Sequence, residues 1–211
     1  MIAVVNAGSG NIGSVVNVIR LLQHPVCIAR KPDDLLEADT IILPGVGSAG
    51  SYMRRLEEGG LGSSIVDAHR SGVRLVGICL GFQVLFNGSE EDGGVECLGL
   101  LNGVVTDLKR HTGHAHTGWA PFEFERTYMS RSGYNPIYAS ARSRIVRGRV
   151  YYNHEYGYPL PPPDSGVGTL SITDFSFDKF AAMIMADNVI GMQFHPEKSQ
   201  KTGLSLLSMV L

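Results

Sequence analysis

Three residues far apart in the chain have the types and settings for nucleophilic chemistry. Cys79 stands at the centre of Gly77-Ile78-Cys79-Leu80-Gly81, after the apolar residues Leu75, Val76 and Ile78 and before Phe82, Val84, Leu85 and Phe86. An apolar strand, a G-x-C-x-G turn and an apolar helix make the thiol form of a nucleophile elbow, a strained turn that lifts one side chain above a sheet. A helix amino end aimed at the sulfur favours thiolate over thiol. The other reading of Cys79 is a small buried apolar residue, the usual state of a free cysteine. His195 and Glu197 close a second apolar run, Val189 to Phe194. Residues two apart on extended chain project to one side, and Pro196 favours an extended His195. A thiol needs a base, and the base needs a group to orient it. Cys79, His195 and Glu197 supply those catalytic roles, each at the C-terminal end of a predicted strand, where open α/β sheets collect their chemistry.

The elements that must position them follow from the pattern. Met1–Val5, Val26–Ala29, Thr40–Leu43, Leu75–Ile78 and Val189–Phe194 read as buried strands. Helices are expected over Val15–Leu22, Gly62–Arg70 and from Ser199, with Ser199 as cap and Leu204, Leu207 and Leu211 on one face. Residues 89 to 94 read as a solvated loop. From Val95 to about Ala186, short β-branched and aromatic runs are broken by Gly, Pro, Asn and Asp: Gly103–Val105, Pro121–Phe124, Arg149–Tyr152 and Phe180–Met185. Pro159–Pro163 reads as a rigid connector. The expected fold is α/β, with an open, mostly parallel central sheet flanked by helices and an antiparallel β-rich extension, in one domain over residues 1–211.

Composition sets bounds. The chain has 211 residues, 44% hydrophobic and 18% charged, enough for a substantial folded core. A net charge of -2 gives no electrostatic case for nucleic acid. No apolar stretch approaches the ~20 residues that cross a bilayer, and the start lacks the pattern of a signal peptide. Three scattered cysteines, Cys27, Cys79 and Cys97, suit a reducing cytoplasm. Gly8-Ser9-Gly10-Asn11-Ile12-Gly13 has the spacing of a dinucleotide fingerprint, but Val26–Ala29 ends in Arg30-Lys31 rather than an acid. A tight turn between strand and helix is the preferred reading. His111, His114 and His116 cluster within six residues without a carboxylate or cysteine to complete a metal set, so no metal or cofactor is expected. Pro44-Gly45-Val46-Gly47 follows a strand and can be an ordinary glycine-rich loop; beside a nucleophilic cysteine its N–H groups, with that of Leu80, can stabilise an oxyanion, which makes Val46, Gly47 and Leu80 the expected hole.

Gly77–Gln83 and Gln193–Ser199 resemble the two signatures of the class I, triad-type glutamine amidotransferases, and Pro44–Gly47 resembles that family's oxyanion strand. The opening Asn6–Val15, the stretch Pro44–Gly50, His116–Trp119 and the ending Phe194–Leu204 extend the resemblance to one branch, the glutaminase subunits of imidazole glycerol phosphate synthases. The resemblance implies glutamine as substrate, with Gly45, Gln83, His154 and Tyr156 binding it. It also implies a (β/α)8-barrel cyclase as heterodimer partner, met by Asn11, Trp119 and Lys198, and ammonia passed to that partner for histidine biosynthesis. Two positions depart from the family pattern: Glu155 stands where a small hydroxyl residue is usual, and Ala120 where asparagine follows the tryptophan. They keep open a paralogue serving amidation of a surface-sugar precursor. A related glutaminase of pyridoxal phosphate synthesis, an inactive regulatory subunit and a cysteine hydrolase of another amide are further alternatives.

Overall fold

A computed structural model describes residues 1–8, 10–123, 147–159 and 180–211. In chain order these form β1 (Ile2–Val5), α1 (Ile12–Leu21), β2 (Val26–Ala29), β3 (Thr40–Gly45), α2 (Ala49–Glu58), α3 (Leu61–Arg70), β4 (Arg74–Cys79) and α4 (Leu80–Gln83). Then come β5 (Phe86–Ser89), β6 (Val95–Glu96), β7 (Leu101–Asp107), α5 (Lys109–Thr112), β8 (His116–Glu123), β9 (Arg147–His154) and β10 (Tyr156–Gly157). The last elements are β11 (Met183–Ala186), β12 (Val189–Met192) and α6 (Gln200–Val210). Ser9, Phe124 and the Leu160–Pro163 part of the expected connector lie outside the described residues.

The central sheet has six strands in the order β11-β12-β4-β3-β1-β2. All neighbours run parallel except β11, which is antiparallel to β12. Its strands read as continuous apolar runs because both faces are covered. Ile2, Val4, Ile42, Val76 and Ile190 pack on one side with Val15, Val16 and Ile19 of α1 and with Leu206 and Leu207 of α6. Ala3, Val5, Ile41, Leu43 and Leu75 pack on the other with Tyr52 and Leu56 of α2 and Leu61 and Ile65 of α3. The alternation Ile2/Val4 against Ala3/Val5 is the period of two expected of a strand. Beside this sheet lie a four-stranded sheet, β10-β7-β5-β6, and the antiparallel pair β8-β9. The expected mostly parallel sheet with a β-rich extension is the observed architecture.

Three local expectations are corrected. The helix after Cys79 is a single turn ending at Gln83, and Phe86 starts a strand. The reason is nonlocal: the carbonyls of Val84 and Leu85, which a longer helix would use internally, accept from the N–H groups of Leu98, Leu100 and Leu101. The buried face of α6 is Gly203, Leu206, Leu207, Met209 and Val210, so Leu207 belongs to it while Leu204 and Leu211 are only partly covered. Ser199 precedes α6 without capping it through its side chain, because its hydroxyl is bound elsewhere. Helix α2, capped by Ser48 accepting from the Ser51 N–H, was not anticipated from the sequence.

Candidate active site

The elbow at Cys79 is built by steric necessity. Cys79 has φ 54° and ψ -109°, a conformation that costs an L residue free energy and persists only where the surroundings impose it. The flanking glycines serve space rather than positive φ. A Cβ on Gly81 would collide with the Leu43 carbonyl, and one on Gly77 would lie 2.6 Å from the Gly81 oxygen. Strand β4 and the turn of α4 can approach β3 this closely only without those side chains. The one-turn α4 carries a much smaller dipole than a full helix, so its help to a thiolate is mainly the free N–H groups of its first residues.

His195 comes from the end of β12, the in-register parallel neighbour of β4. Its Nδ1 donates to Glu197 Oε1 at 2.9 Å, and both side chains are 2% exposed. The pairing of His195 and Glu197 foreseen from alternate positions is present, but a turn makes it. Residues Pro196–Lys198 form one 3-10 turn, closed by the Lys198 N–H on the His195 carbonyl at 3.1 Å. Ser199 Oγ donates to that same carbonyl at 2.6 Å and accepts from the Tyr151 N–H at 3.0 Å. The His195 N–H in turn donates to the Tyr151 carbonyl at 2.8 Å. The imidazole is thereby fixed by backbone on both sides. Burial opposes charge on His195, yet the neighbouring Cys79 and Glu197 outweigh it and push its pKa up to about 9. Its Nε2, on the Cys79 side, is buried without a hydrogen bond of acceptable geometry. The thiol itself lies 3.7 Å from the Asn153 carbonyl and 3.9 Å from Gln193 Nε2.

The glycine loop expected to supply an oxyanion hole lies across the other edge of the elbow. Gly45 is the register partner of Cys79. A Cβ there would come within 2.9 Å of the Tyr52 ring and 3.1 Å of the Gly81 nitrogen. The buried Tyr52 donates its hydroxyl to the Pro44 carbonyl at 3.1 Å and anchors the loop's first peptide. Val46 is 38% exposed, and Gly47 has φ 104°, which only glycine adopts without strain.

Cys79 opens into a cavity of about 380 Å³. Val46, Gly47, Leu80 and Gln83 line one part, and Glu91, Asn153, His154, Glu155 and Tyr156 line the rest. His195 and Glu197 stand behind the sulfur and do not line the cavity. Gln83 spends its NH2 group on the Tyr156 carbonyl at 2.7 Å and Gln193 Oε1 at 3.1 Å, so it braces the wall. His154 Nδ1 lies 2.7 Å from the Tyr156 carbonyl, which can only accept, so Nδ1 carries the proton and Nε2 accepts from His116 Nδ1 at 3.2 Å. Burial first of all holds both rings neutral, with pKa values pushed down to about 3 for His154 and about 4 for His116. Glu91, within the stretch read as a solvated loop, is half-buried and accepts from the Ala49 N–H at 2.8 Å; burial raises its pKa above the ordinary carboxylate value.

The residues expected at a partner surface are separate from the cavity. Asn11 and Lys198 are exposed and Trp119 is 39% exposed. Trp119 packs edge-on against Tyr151 at 5.9 Å, Lys198 Nζ sits 5.7 Å over the same ring, and that ring lies 6.4 Å from His195. The contacts that Tyr151, Gln193, Ser199 and Tyr52 make around the site escaped the sequence reading. Gln193 alone left a signal, a polar residue inside an apolar run. His111 packs on Phe180, His114 turns to the Ala115 carbonyl and His116 points at His154. Among the described residues no group of three or more His, Cys, Asp or Glu could hold a metal. Nor is any helix there long and apolar enough to cross a membrane. At the sequence's glycine-rich turn, Arg55 Nη1 donates to the Gly8 carbonyl at 2.6 Å, and Gly10 packs on Gly45.

A buried imidazole–carboxylate pair lies beside a strained cysteine and a glycine loop on an α/β sheet. The family model for glutamine amidotransferase class-I matches residues 3–209, and the chain belongs to that family of glutamine-hydrolysing enzymes. It is 36% identical to the imidazole glycerol phosphate synthase subunit HisH of Geobacillus thermodenitrificans (strain NG80-2), covering 99% of this chain and 93% of that one. It is 35% identical to the subunit of the same name from Moorella thermoacetica (strain ATCC 39073 / JCM 9320), over 98% and 91% of the two chains. Among solved structures, PurLQS from Thermotoga maritima superposes with a TM-score of 0.70 at 20% identity, covering 99% of this chain and 96% of that one. A crystal structure of a glutamine amidotransferase also gives 0.70, at 16% identity and 98% and 96% coverage. Those two likenesses concern the fold, that of the class I glutamine amidotransferases.

Proposed function

We propose that this chain is a glutaminase subunit that releases ammonia from glutamine through Cys79, His195 and Glu197 and passes it to a synthase partner. The observation that carries this reading is His195, held at Nδ1 by Glu197 with its other nitrogen on the Cys79 side, beside a cysteine in a strained turn at the base of a cavity. The thiolate attacks the side-chain amide carbon, and the carbonyl electrons move onto oxygen. N–H groups of Val46, Gly47 and Leu80 stabilise that oxyanion. The His195 imidazolium gives its proton to the amide nitrogen, the C–N bond breaks, and ammonia leaves with a thioester on Cys79. Water, deprotonated by His195, then attacks the thioester; glutamate departs and the thiol is restored. Glu197 keeps the ring in the required tautomer throughout.

The partner we infer is the cyclase subunit of imidazole glycerol phosphate synthase, a (β/α)8 barrel, in histidine biosynthesis. The relatives named for that synthase at 35–36% identity over nearly the whole chain support it. Asn11, Trp119 and Lys198 are proposed to meet the barrel, and Tyr151 would link that face to His195. Glutamate release is to be measured for the chain alone and with the cyclase subunit plus its nucleotide substrate. Strong stimulation with nucleotide conversion is expected. Cys79→Ala is expected to abolish hydrolysis while binding the partner as the wild type does; turnover at the wild-type rate in that variant rejects the mechanism. Labelling of Cys79 by a glutamine analogue without stimulation keeps the glutaminase and rejects this partner.

A further inference from the structure

The first turn of α2 is held from two directions. Its leading N–H groups have no acceptor inside the helix. Ser48 Oγ, next to the helix in sequence, accepts from the Ser51 N–H at 3.4 Å. The other two acceptors arrive from 42 residues along the chain. Glu91 Oε2 takes the Ala49 N–H at 2.8 Å, and Asp92 Oδ2 takes the Gly50 N–H at 3.2 Å. A Cβ on Gly50 would lie 2.8 Å from that Asp92 oxygen, so the carboxyl group comes this close only because position 50 bears no side chain. Asp92 reaches it from φ 54° and ψ 26°, a left-handed conformation that aspartate, asparagine and glycine adopt at least cost.

The turn Glu91–Gly93 is itself built on the four-stranded sheet. The Glu91 N–H donates to Oγ of the buried Ser89 on β5 at 3.2 Å, and the Glu90 N–H donates to the Val105 carbonyl of β7 at 2.9 Å. Glu90 Oε2 accepts from the Asp107 N–H at 3.2 Å. On the central sheet, β3 ends at Gly45, in register with Cys79, and α2 begins at Ala49. Only Val46, Gly47 and Ser48 lie between these two fixed points, and the first two line the cavity. Over so short a span, the place at which α2 starts decides where the Val46 and Gly47 N–H groups point.

We propose that Glu91 and Asp92 are positioning residues for the glycine loop: by holding the first turn of α2 to the four-stranded sheet, their carboxyl oxygens fix the aim of the Val46 and Gly47 N–H groups at the oxygen of the amide that Cys79 attacks. This rests on the glutaminase reading and adds a support outside the reacting groups. Glu91 lines the cavity and Asp92 does not, so Asp92 reports on the clamp apart from any contact with substrate.

The test measures kcat and KM for glutamine with the cyclase subunit present. Beside them it follows the rate at which iodoacetamide alkylates Cys79, read by peptide mass spectrometry. Alkylation needs the thiolate and no oxyanion donor. Asp92→Gly removes the carboxyl group without straining the backbone, and Asp92→Asn keeps an acceptor oxygen. Asp92→Gly is expected to lower kcat about three- to tenfold, with KM and alkylation within about twofold, and Asp92→Asn to stay within about twofold of the wild type in kcat. Glu91→Ala is expected to lower kcat about tenfold or more, and Glu91→Gln less, since it keeps an oxygen for the Ala49 N–H. A wild-type kcat in Asp92→Gly overturns the proposal. So does alkylation that falls in step with kcat, which would place the effect on the nucleophile, and so does a Glu91→Ala effect confined to KM. In each of these cases glutamine hydrolysis by the wild type leaves the glutaminase reading intact. A wild type that neither hydrolyses glutamine nor is labelled at Cys79 by a glutamine-like electrophile overturns both.

Discussion

At the scale of single residues, the site turns on the charge of His195. His195 has its pKa raised to about 9 against the burial that opposes its charge, with Cys79 and Glu197 acting together. Removing either neighbour removes one of the influences that hold the proton. In Glu197→Gln and in Cys79→Ala, the pKa of His195 is expected to fall from about 9 toward the ordinary 6.5, read by NMR titration of the ring. An unchanged titration in both variants rules out the proposed coupling. The sign for stability follows by linkage. A group whose pKa is higher folded than unfolded stabilises the fold fully below its unfolded value, and that contribution disappears as pH rises through the folded value. The stability gap between wild type and Glu197→Gln is therefore expected to be widest below about pH 6.5 and to close above about pH 9.

At the scale of elements, the turn after β12 and the strand β9 form one device for holding His195. Ser199 Oγ joins the His195 carbonyl to the Tyr151 N–H, across 48 residues of chain. Ser199→Ala removes the Tyr151 N–H's acceptor and leaves the His195 carbonyl with the Lys198 N–H alone, so a loss of about 1–3 kcal/mol is expected in urea unfolding, with a lower kcat. A kcat equal to the wild type would show that the Tyr151 backbone alone holds the imidazole. This element also shows what was legible in the sequence. That Cys79, His195 and Glu197 come together was legible because each stands at or just past the end of an apolar run, and five of the six central strands announced themselves as such runs. Ser199 was misread as a cap, since the local signal for capping is the same whether or not a distant N–H claims the hydroxyl. The short α4 was misread for a like reason: the residues that stop it, Leu98 to Leu101, lie more than a dozen positions on. Glu91 was missed because an acidic, glycine-bearing stretch resembles solvated loop until α2 offers it the Ala49 N–H.

At the scale of the molecule, two buried imidazoles join the β8–β9 pair to the cavity wall and make the fold sensitive to acid. His154 and His116 stay neutral in the fold, with pKa values near 3 and 4, whereas both take up protons near 6.5 when unfolded. The unfolded chain binds more protons below that value, so stability is present above about pH 6.5 and is lost as pH falls toward 4. Thermal midpoints are expected to drop over that range in the wild type and to drop less in His116→Asn; parallel curves would discount the pair. The central sheet has a different consequence. Its strands β3, β4 and β12 are consecutive and in register, and they carry Gly45, Cys79 and the approach to His195 side by side. Strand spacing is set by backbone hydrogen bonds at about 4.8 Å, whatever side chains the strands bear. The sheet thus acts as a ruler that sequence drift cannot shorten. A lineage can exchange four residues in five, as at the 20% identity of one solved neighbour that retains the fold, while the separation of the strands that lead to Cys79 and His195 stays in the hands of the main chain.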